Sequence, residues 1–298
     1  MILNSKKSVN NPGAALVILF GSFFFFMCVF SLLSGFIMPR ISNPTVGLRV
    51  LTLLQAVFLF IIPALITAVV FTRLPASLLA IDKAPKLLPS LMIIVTIVAA
   101  IPLMNYIIEW NAGIQFPESM SALEKSIREM EEAAEEATKT ILGGNTIGAL
   151  IVSILIVGVM AGFSEELFFR GAFQRILGST HVAGNSAVIV AAVVFSFMHF
   201  QFFGFVPRFL LGLFFGYILV WSNCLWYAII AHAANNIMAV TVNWMNNRNM
   251  SEIDINTIGQ SSGTGMSHIT LIITSLIITS LCIIILHRLL TEDSKKLS

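Results

Sequence analysis

The chain alternates between long apolar runs and short polar breaks. Eight of the runs approach the ~20 residues that a helix needs to cross a bilayer. They fall near residues 14–38, 46–71, 90–109, 146–163, 186–203, 206–222, 224–244 and 269–288. Pro39 and Pro44 punctuate the first connection and Pro75, Pro85 and Pro89 the second, because a residue before proline is pushed out of helical conformation. The pattern predicts an all-α fold, a polytopic membrane helical bundle of about eight transmembrane helices.

The long break in this pattern runs from Pro117 to about Gly143. Leu123, Ile127, Met130, Ala134, Ala137 and Ile141 recur there at helical spacing and predict one apolar face. The opposite face is acidic, with Glu124–Arg128 and Glu135–Lys139 able to pair at four-residue spacing. Two readings stand side by side: a solvated helix on the membrane surface, or a cap that filters substrates.

Composition agrees with the periodicity. The chain is 57% hydrophobic and only 11% charged, against about 25% charged in soluble domains. The formal net charge is +2, and no basic cluster is interleaved with aromatics, which excludes nucleic-acid binding. Cys28, Cys224 and Cys282 have no CxxC or zinc-ligand spacing and read as small buried apolar residues. The apolar run after Lys6 and Lys7 exceeds the 7–15 residues of a cleaved signal core, so a retained helix is expected. Lys and Arg are modestly enriched on the side carrying Lys6, Lys7, Arg73, Lys83, Lys86, Arg170, Arg175, Arg288, Lys295 and Lys296. That bias predicts a multi-pass cell-membrane protein with both termini in the cytoplasm.

The fourth run carries charge at its end. Gly162-Phe163-Ser164-Glu165-Glu166-Leu167-Phe168-Phe169-Arg170-Gly171 holds two carboxylates and a guanidinium, where an ionisable side chain costs about 2.5–3.5 kcal/mol and by default marks function. Glu166 and Arg170 are four apart and can pair on one face, while Glu165 is turned roughly 100° away without a local partner. His199 closes the fifth run, four residues after Phe195, and His232 and Asn236 share a face of the seventh. The pairs Gly158/Gly162 and Gly212/Gly216 allow close helix approach beside these residues. His181, His268 and His287, near segment ends, read as packing residues, and Trp110, Trp221, Trp226 and Trp244 as interfacial anchors.

A carboxylate, two imidazoles and an amide in a protein-lined cavity suit hydrolysis by an activated water. A desolvated Glu165 is the general base, His199 holds the water, and His232 and Asn236 donate to the oxyanion. The same groups leave a metal site open, with Glu165, His199 and His232 as ligands and zinc as the ion, although no HExxH helix pairs the histidines. A serine or cysteine nucleophile fits least, since no Asp accompanies a His. Two other classes use the same pocket differently: a non-proteolytic binding or bacteriocin-immunity protein, and a proton-coupled transporter carrying its proton on the buried carboxylate.

Taken in order, Glu165-Glu166-x-x-x-Arg170, Phe195-x-x-x-His199 and His232-x-x-x-Asn236 resemble the three motifs of the CPBP family of intramembrane proteases. That family includes the type II CAAX prenyl endopeptidases and the Abi proteins linked to bacteriocin processing or immunity. The resemblance covers about Ile147 to Asn243. It implies that Glu165 and His199 activate water and that His232 and Asn236 stabilise the oxyanion. Glu166 and Arg170 would be structural partners, and Phe195 would pack against the site. It implies as partners the bilayer and a membrane-associated or lipid-modified peptide or protein substrate, and it leaves no cofactor certain. The expected units are N-terminal transmembrane helices over 1–110, the acidic segment over 111–145, a catalytic core over 146–245, and a C-terminal helix with a polar tail over 246–298. Geometry is the difficulty: Glu165 is roughly 27 Å along its helix from Ile147, near one face, whereas His199 lies deeper. A helix must tilt, break or re-enter for the three motifs to meet.

Overall fold

The structure, a computed structural model, describes residues 9, 11–180, 182, 184–248, 250, 255–261 and 268–296. His181 lies outside the described residues. Among those described there is no strand. The principal helices are α1 (Pro12–Ile37), α2 (Pro44–Phe71), α3 (Leu87–Ala112), α4 (Ser121–Ile141), α5 (Ile147–Leu177), α6 (Asn185–Phe197), α7 (Phe205–Ser222), α8 (Leu225–Asn246) and α9 (His268–Lys296). Seven of them are long and apolar enough to cross a membrane; α4 is the polar helix, and α6, with 13 residues, is too short. The chain is thus an all-α, multi-pass membrane bundle.

Two departures from the apolar pattern matter for the site. The fifth run does not make a full span: α6 stops at Phe197, and Phe200 turns the chain in left-handed conformation at φ 53°. Ser196 Oγ then donates to the carbonyl of Phe205 at 2.6 Å, pinning the return into α7. The fourth run, in contrast, does not end before the charged motif. It continues through it to Leu177, a helix of 31 residues. The charges do not terminate α5 because Glu166 and Arg170 neutralise each other and the guanidinium lies against the rings of Phe195 and Phe215. Glu165 therefore stands well inside α5, and His199 lies just past the early end of α6.

The glycine pairs set how closely the site-bearing helices approach. A Cβ on Gly158 would meet Ile237 at 2.6 Å, and one on Gly162 would meet the backbone nitrogen of Ala233 at 3.0 Å, so α8 lies directly on α5. On the other side, a Cβ on Gly212 or Gly216 would meet Ala192 at 3.1 Å or Val188 at 2.7 Å, on α6. At Gly162 the obstacle is backbone and cannot swing aside. Gly162→Ala is expected to cost about 1–3 kcal/mol through overpacking, read as a lower unfolding midpoint in detergent. Gly21→Ala in α1, where nothing lies within 4 Å, is the neutral control.

Two stretches of α5, Ile154–Met160 and Leu167–Gln174, are wound as π-helix, leaving Glu165 and Glu166 on the α-helical turn between them. Such widening frees backbone carbonyls and recurs at functional sites. Asn236 of α8 donates to one of these carbonyls, that of Val157, at 3.1 Å. Away from the site, α3 carries Pro102 within it, and beside that residue Ser275 Oγ of α9 donates to Ala99 O at 2.6 Å and accepts from Leu103 N at 3.3 Å. A side chain inserted into the ladder in this way is a known cause of helix bending.

The polar helix α4 is docked at both ends. Arg49 of α2 donates to the carbonyls of Ile141 and Gly143, at 2.9 and 3.0 Å, a cation on the negative end of α4. At the other end Glu124 accepts from Phe116 N at 2.9 Å, Arg128 lies 3.9 Å over the Phe203 ring, and Glu131 accepts from Phe203 N at 2.6 Å. Of the expected apolar face, Ile127, Ala134, Ala137 and Ile141 are half-buried, whereas Leu123 and Met130 are exposed and Glu124, Arg128 and Glu131 dock beside them. The pairs Glu124–Arg128 and Glu135–Lys139 form at 2.7 and 2.6 Å.

The Phe116 amide, and then Arg128, hold the Glu124 carboxyl below its ordinary value. Its contribution to docking is present above the ordinary carboxylate value and is lost as pH falls through the depressed one. Amides near 114–128 are therefore expected to exchange faster with deuterium below about pH 4, while those around Arg49 and Ile141 keep their protection.

Of the cysteines, Cys224 and Cys282 are buried, whereas Cys28 is exposed, contrary to the expectation that all three are buried. Trp226 does more than anchor an interface: its indole donates to Ile81 O at 3.1 Å and its ring packs against Phe163.

Candidate active site

The charged motif is built around a fully buried ion pair. Arg170 Nη1 donates to Glu166 Oε1 at 2.7 Å, and Nη2 donates to the carbonyl of Gly212 on α7 at 3.0 Å. The guanidinium lies 4.3 Å over the ring of Phe195, on α6. A buried ion pair is tolerated only when its remaining polar capacity is satisfied, and here the bare Gly212 lets Arg170 reach a neighbouring backbone. A Cβ at Gly212 would stand 3.2 Å from Arg170 Nη2 and crowd the guanidinium.

His232 is held by the same carboxylate. Its Nδ1 lies 2.8 Å from Glu166 Oε1, and its Nε2 lies 3.9 Å from Glu165 Oε2. The imidazole stacks on Phe215 at 5.0 Å and meets the edge of Phe195 at 5.8 Å, so its plane is fixed from two sides. The two carboxylates, which helical spacing separates, are brought to opposite nitrogens of one ring. Glu166 is fully buried, whereas the Glu165 side chain retains 18% exposure. Glu165 Oε2 has no hydrogen-bond partner among the described residues.

His199 is oriented by its own helix end. Its Nδ1 lies 2.9 Å from the carbonyl of Phe195, an acceptor, so Nδ1 carries the proton and Nε2 presents a lone pair. Glu165, His232 and Arg208 are all within electrostatic reach of it. Asn236 is placed differently. Its amide nitrogen is engaged by Val157 O, its oxygen accepts from Asn235 at 3.3 Å, and no hydrogen bond joins it to Glu165, His199 or His232.

Among the described residues no three of His, Cys, Asp and Glu converge as a metal-holding group. Glu165, His199 and His232 therefore do not fit the zinc set in this geometry, and no step below runs through a metal.

Sequence reasoning missed Arg208, Gln201 and Glu131. Arg208 carries no motif in the sequence, although the rule that singles out Glu165 applies equally to a cation at the start of an apolar run. Glu131 looked like one more solvated acid of α4, and nothing in the spacing distinguishes it from its neighbours.

A bundle of membrane helices thus brings carboxylates, imidazoles and a buried ion pair together in its interior. Residues 147–238, roughly a third of the chain, match the family described as type II CAAX prenyl endopeptidase Rce1-like. That match supports a CAAX-type protease, a hydrolase acting on peptide bonds. Neither a curated protein nor a solved structure matches it.

Proposed function

We propose that this chain hydrolyses a peptide bond of a membrane-associated or lipid-modified peptide by a water that Glu165 activates. The observation that carries the reading is the position of Glu165: part-exposed, with a free oxygen, beside a fixed His232 and within electrostatic reach of His199. Glu165 takes the proton of the attacking water, and His199 accepts a second hydrogen bond from it, which sets its direction. His232 donates from Nε2 to the developing oxyanion, as the imidazolium, while Nδ1–H stays on Glu166. Asn236 adds the amide hydrogen that Val157 does not use. One oxyanion donor is typically worth about 2.7–4 kcal/mol.

An apolar groove of about 470 Å³ supports a lipid-modified or otherwise apolar substrate. Leu53, Ile156, Val159, Phe163, Trp226 and Ile229 are among the residues that line it. Ile229 is one helical turn from His232, so one edge of the groove lies on the face of α8 that carries the imidazole. We read both termini as cytoplasmic, which requires α6 with its broken end to take up the eighth crossing.

The test is cleavage of quenched fluorescent peptides, lipid-modified ones included, by the purified protein in detergent with and without a strong chelator. Cleavage that survives chelation is expected. Its loss on chelation alone would overturn the metal-free reading, and no cleavage by a folded protein would overturn the reading as a peptidase.

A further inference from the structure

His199 depends for its place on its backbone. The imidazole is exposed and makes one hydrogen bond among the described residues, to Phe195 O at 2.9 Å. The residue stands in the turn over 198–204, where α6 has ended and α7 has not begun. Backbone hydrogen bonds at the start of that turn reach back to α6, from His199 N to Ser196 O at 3.3 Å and from Phe200 N to Phe197 O at 2.9 Å. Phe200 then turns in left-handed conformation, at φ 53°. A non-glycine residue persists in that conformation only where its surroundings over-determine it, so other elements must grip the turn.

Two grips come from the membrane helices. Ser196 Oγ reaches Phe205 O, and the buried Asn111 of α3 accepts from Val206 N at 2.8 Å and donates to Phe202 O at 3.3 Å. The third comes from the polar helix α4. Glu131 accepts from Phe203 N at 2.6 Å, a charge-assisted hydrogen bond about twice as strong as one between neutral groups. The Phe203 ring is buried, with Arg128 lying 3.9 Å over it and Phe116 at 6.0 Å. The place suits a carboxylate, because this turn leads into the positive end of α7 and Arg208, in the first turn of that helix, is within electrostatic reach of Glu131. Glu129, Glu132, Glu135 and Glu136 are exposed, and among the described residues none of them bonds to the turn.

We propose that Glu131 is a positioning residue for the hydrolysis: through the Phe203 amide it fixes the turn after α6, and with it the place of the His199 imidazole. The assignment rests on the peptidase reading above. It gives the acidic helix a part in turnover that needs no contact with the substrate, since Phe203 is four residues beyond His199 and Glu131 acts through that link alone.

The experiment uses the full-length protein in detergent and a quenched fluorescent peptide. It compares Glu131→Met, which keeps the bulk and removes the acceptor, with Glu131→Gln, whose amide oxygen can still accept from Phe203. Glu135→Gln, which disturbs only an exposed pair with Lys139, is the control. Glu131→Met is expected to lower kcat about ten- to hundredfold, the size of loss that a misplacement of about 1 Å produces, with KM close to wild type. Glu131→Gln should recover most of it. Hydrogen exchange on the same samples should quicken over 200–206 in Glu131→Met, while amides around His232 keep their protection. An unchanged kcat in Glu131→Met would overturn the proposal. So would a rise in KM at constant kcat, which would place Glu131 in substrate binding, or equal losses in the Met and Gln variants, which would trace the effect to charge and not to the bond. A lower unfolding midpoint with faster exchange throughout, α8 included, would mark a merely structural role and overturn it too. Failure of folded wild type to cleave any peptide would overturn the peptidase reading, and a role in turnover with it.

Discussion

Glu165→Ala is expected to cut turnover about 10²- to 10⁴-fold while a fluorescent substrate peptide still binds with near wild-type affinity. The magnitude is that of a lost general base, and the retained binding follows from what the side chain touches. Glu165 accepts no hydrogen bond at Oε2 and stands 3.9 Å from His232, so its removal breaks no strong contact in the fold. Stability in detergent should therefore be close to unchanged, which separates this residue from its neighbour in the sequence. The measurement is kcat from cleavage, beside Kd from fluorescence anisotropy on the same preparation. A variant that cleaves as fast as wild type would remove Glu165 from the chemistry.

Arg170→Met is the opposite case. Removing one partner of a buried pair leaves the other charge unpaired and typically costs about 3–5 kcal/mol. Glu166 would keep only its contact with His232, and the carbonyl of Gly212 would lose its donor. A large fall in the unfolding midpoint in detergent is expected, accompanied by loss of cleavage as the His232 ring loses its fixed carboxylate. The double variant Glu166→Gln, Arg170→Met should recover part of the stability, because no bare charge then remains, without recovering activity. If the single and double variants unfold alike, the cost lies in packing around Phe195 and Phe215 and not in the ion pair.

The contrast between these neighbouring carboxylates was legible in the sequence to the extent that helical spacing reaches. Four residues separate Glu166 from Arg170, and the pair forms. Spacing along one helix says nothing about what other helices bring, so the shared imidazole of His232 could not be read from α5 alone. The membrane bundle was legible because hydrocarbon demands long apolar runs. The lengths were not: Arg170, neutralised, does not end α5, and the polar residues after Phe197 end α6 early. The face of α4 was legible at Ile127, Ala134, Ala137 and Ile141, which are half-buried, and not at Leu123 and Met130, which are exposed. Apolar periodicity assumes a helix packed by its apolar side, and here Glu124, Arg128 and Glu131 dock through hydrogen bonds and a ring face.

The short α6 has a consequence for the lipid around it. Ile189, Val190, Val193 and Phe197 are exposed along it, an apolar flank for hydrocarbon, yet 13 residues give it only about 20 Å of length against a hydrocarbon core of about 30 Å. Acyl chains bordering that flank must shorten or splay to keep the helix ends wet. The bilayer is thus expected to be pinched beside His199, so that water and the polar end of a peptide have less oil to cross there than anywhere else around the protein.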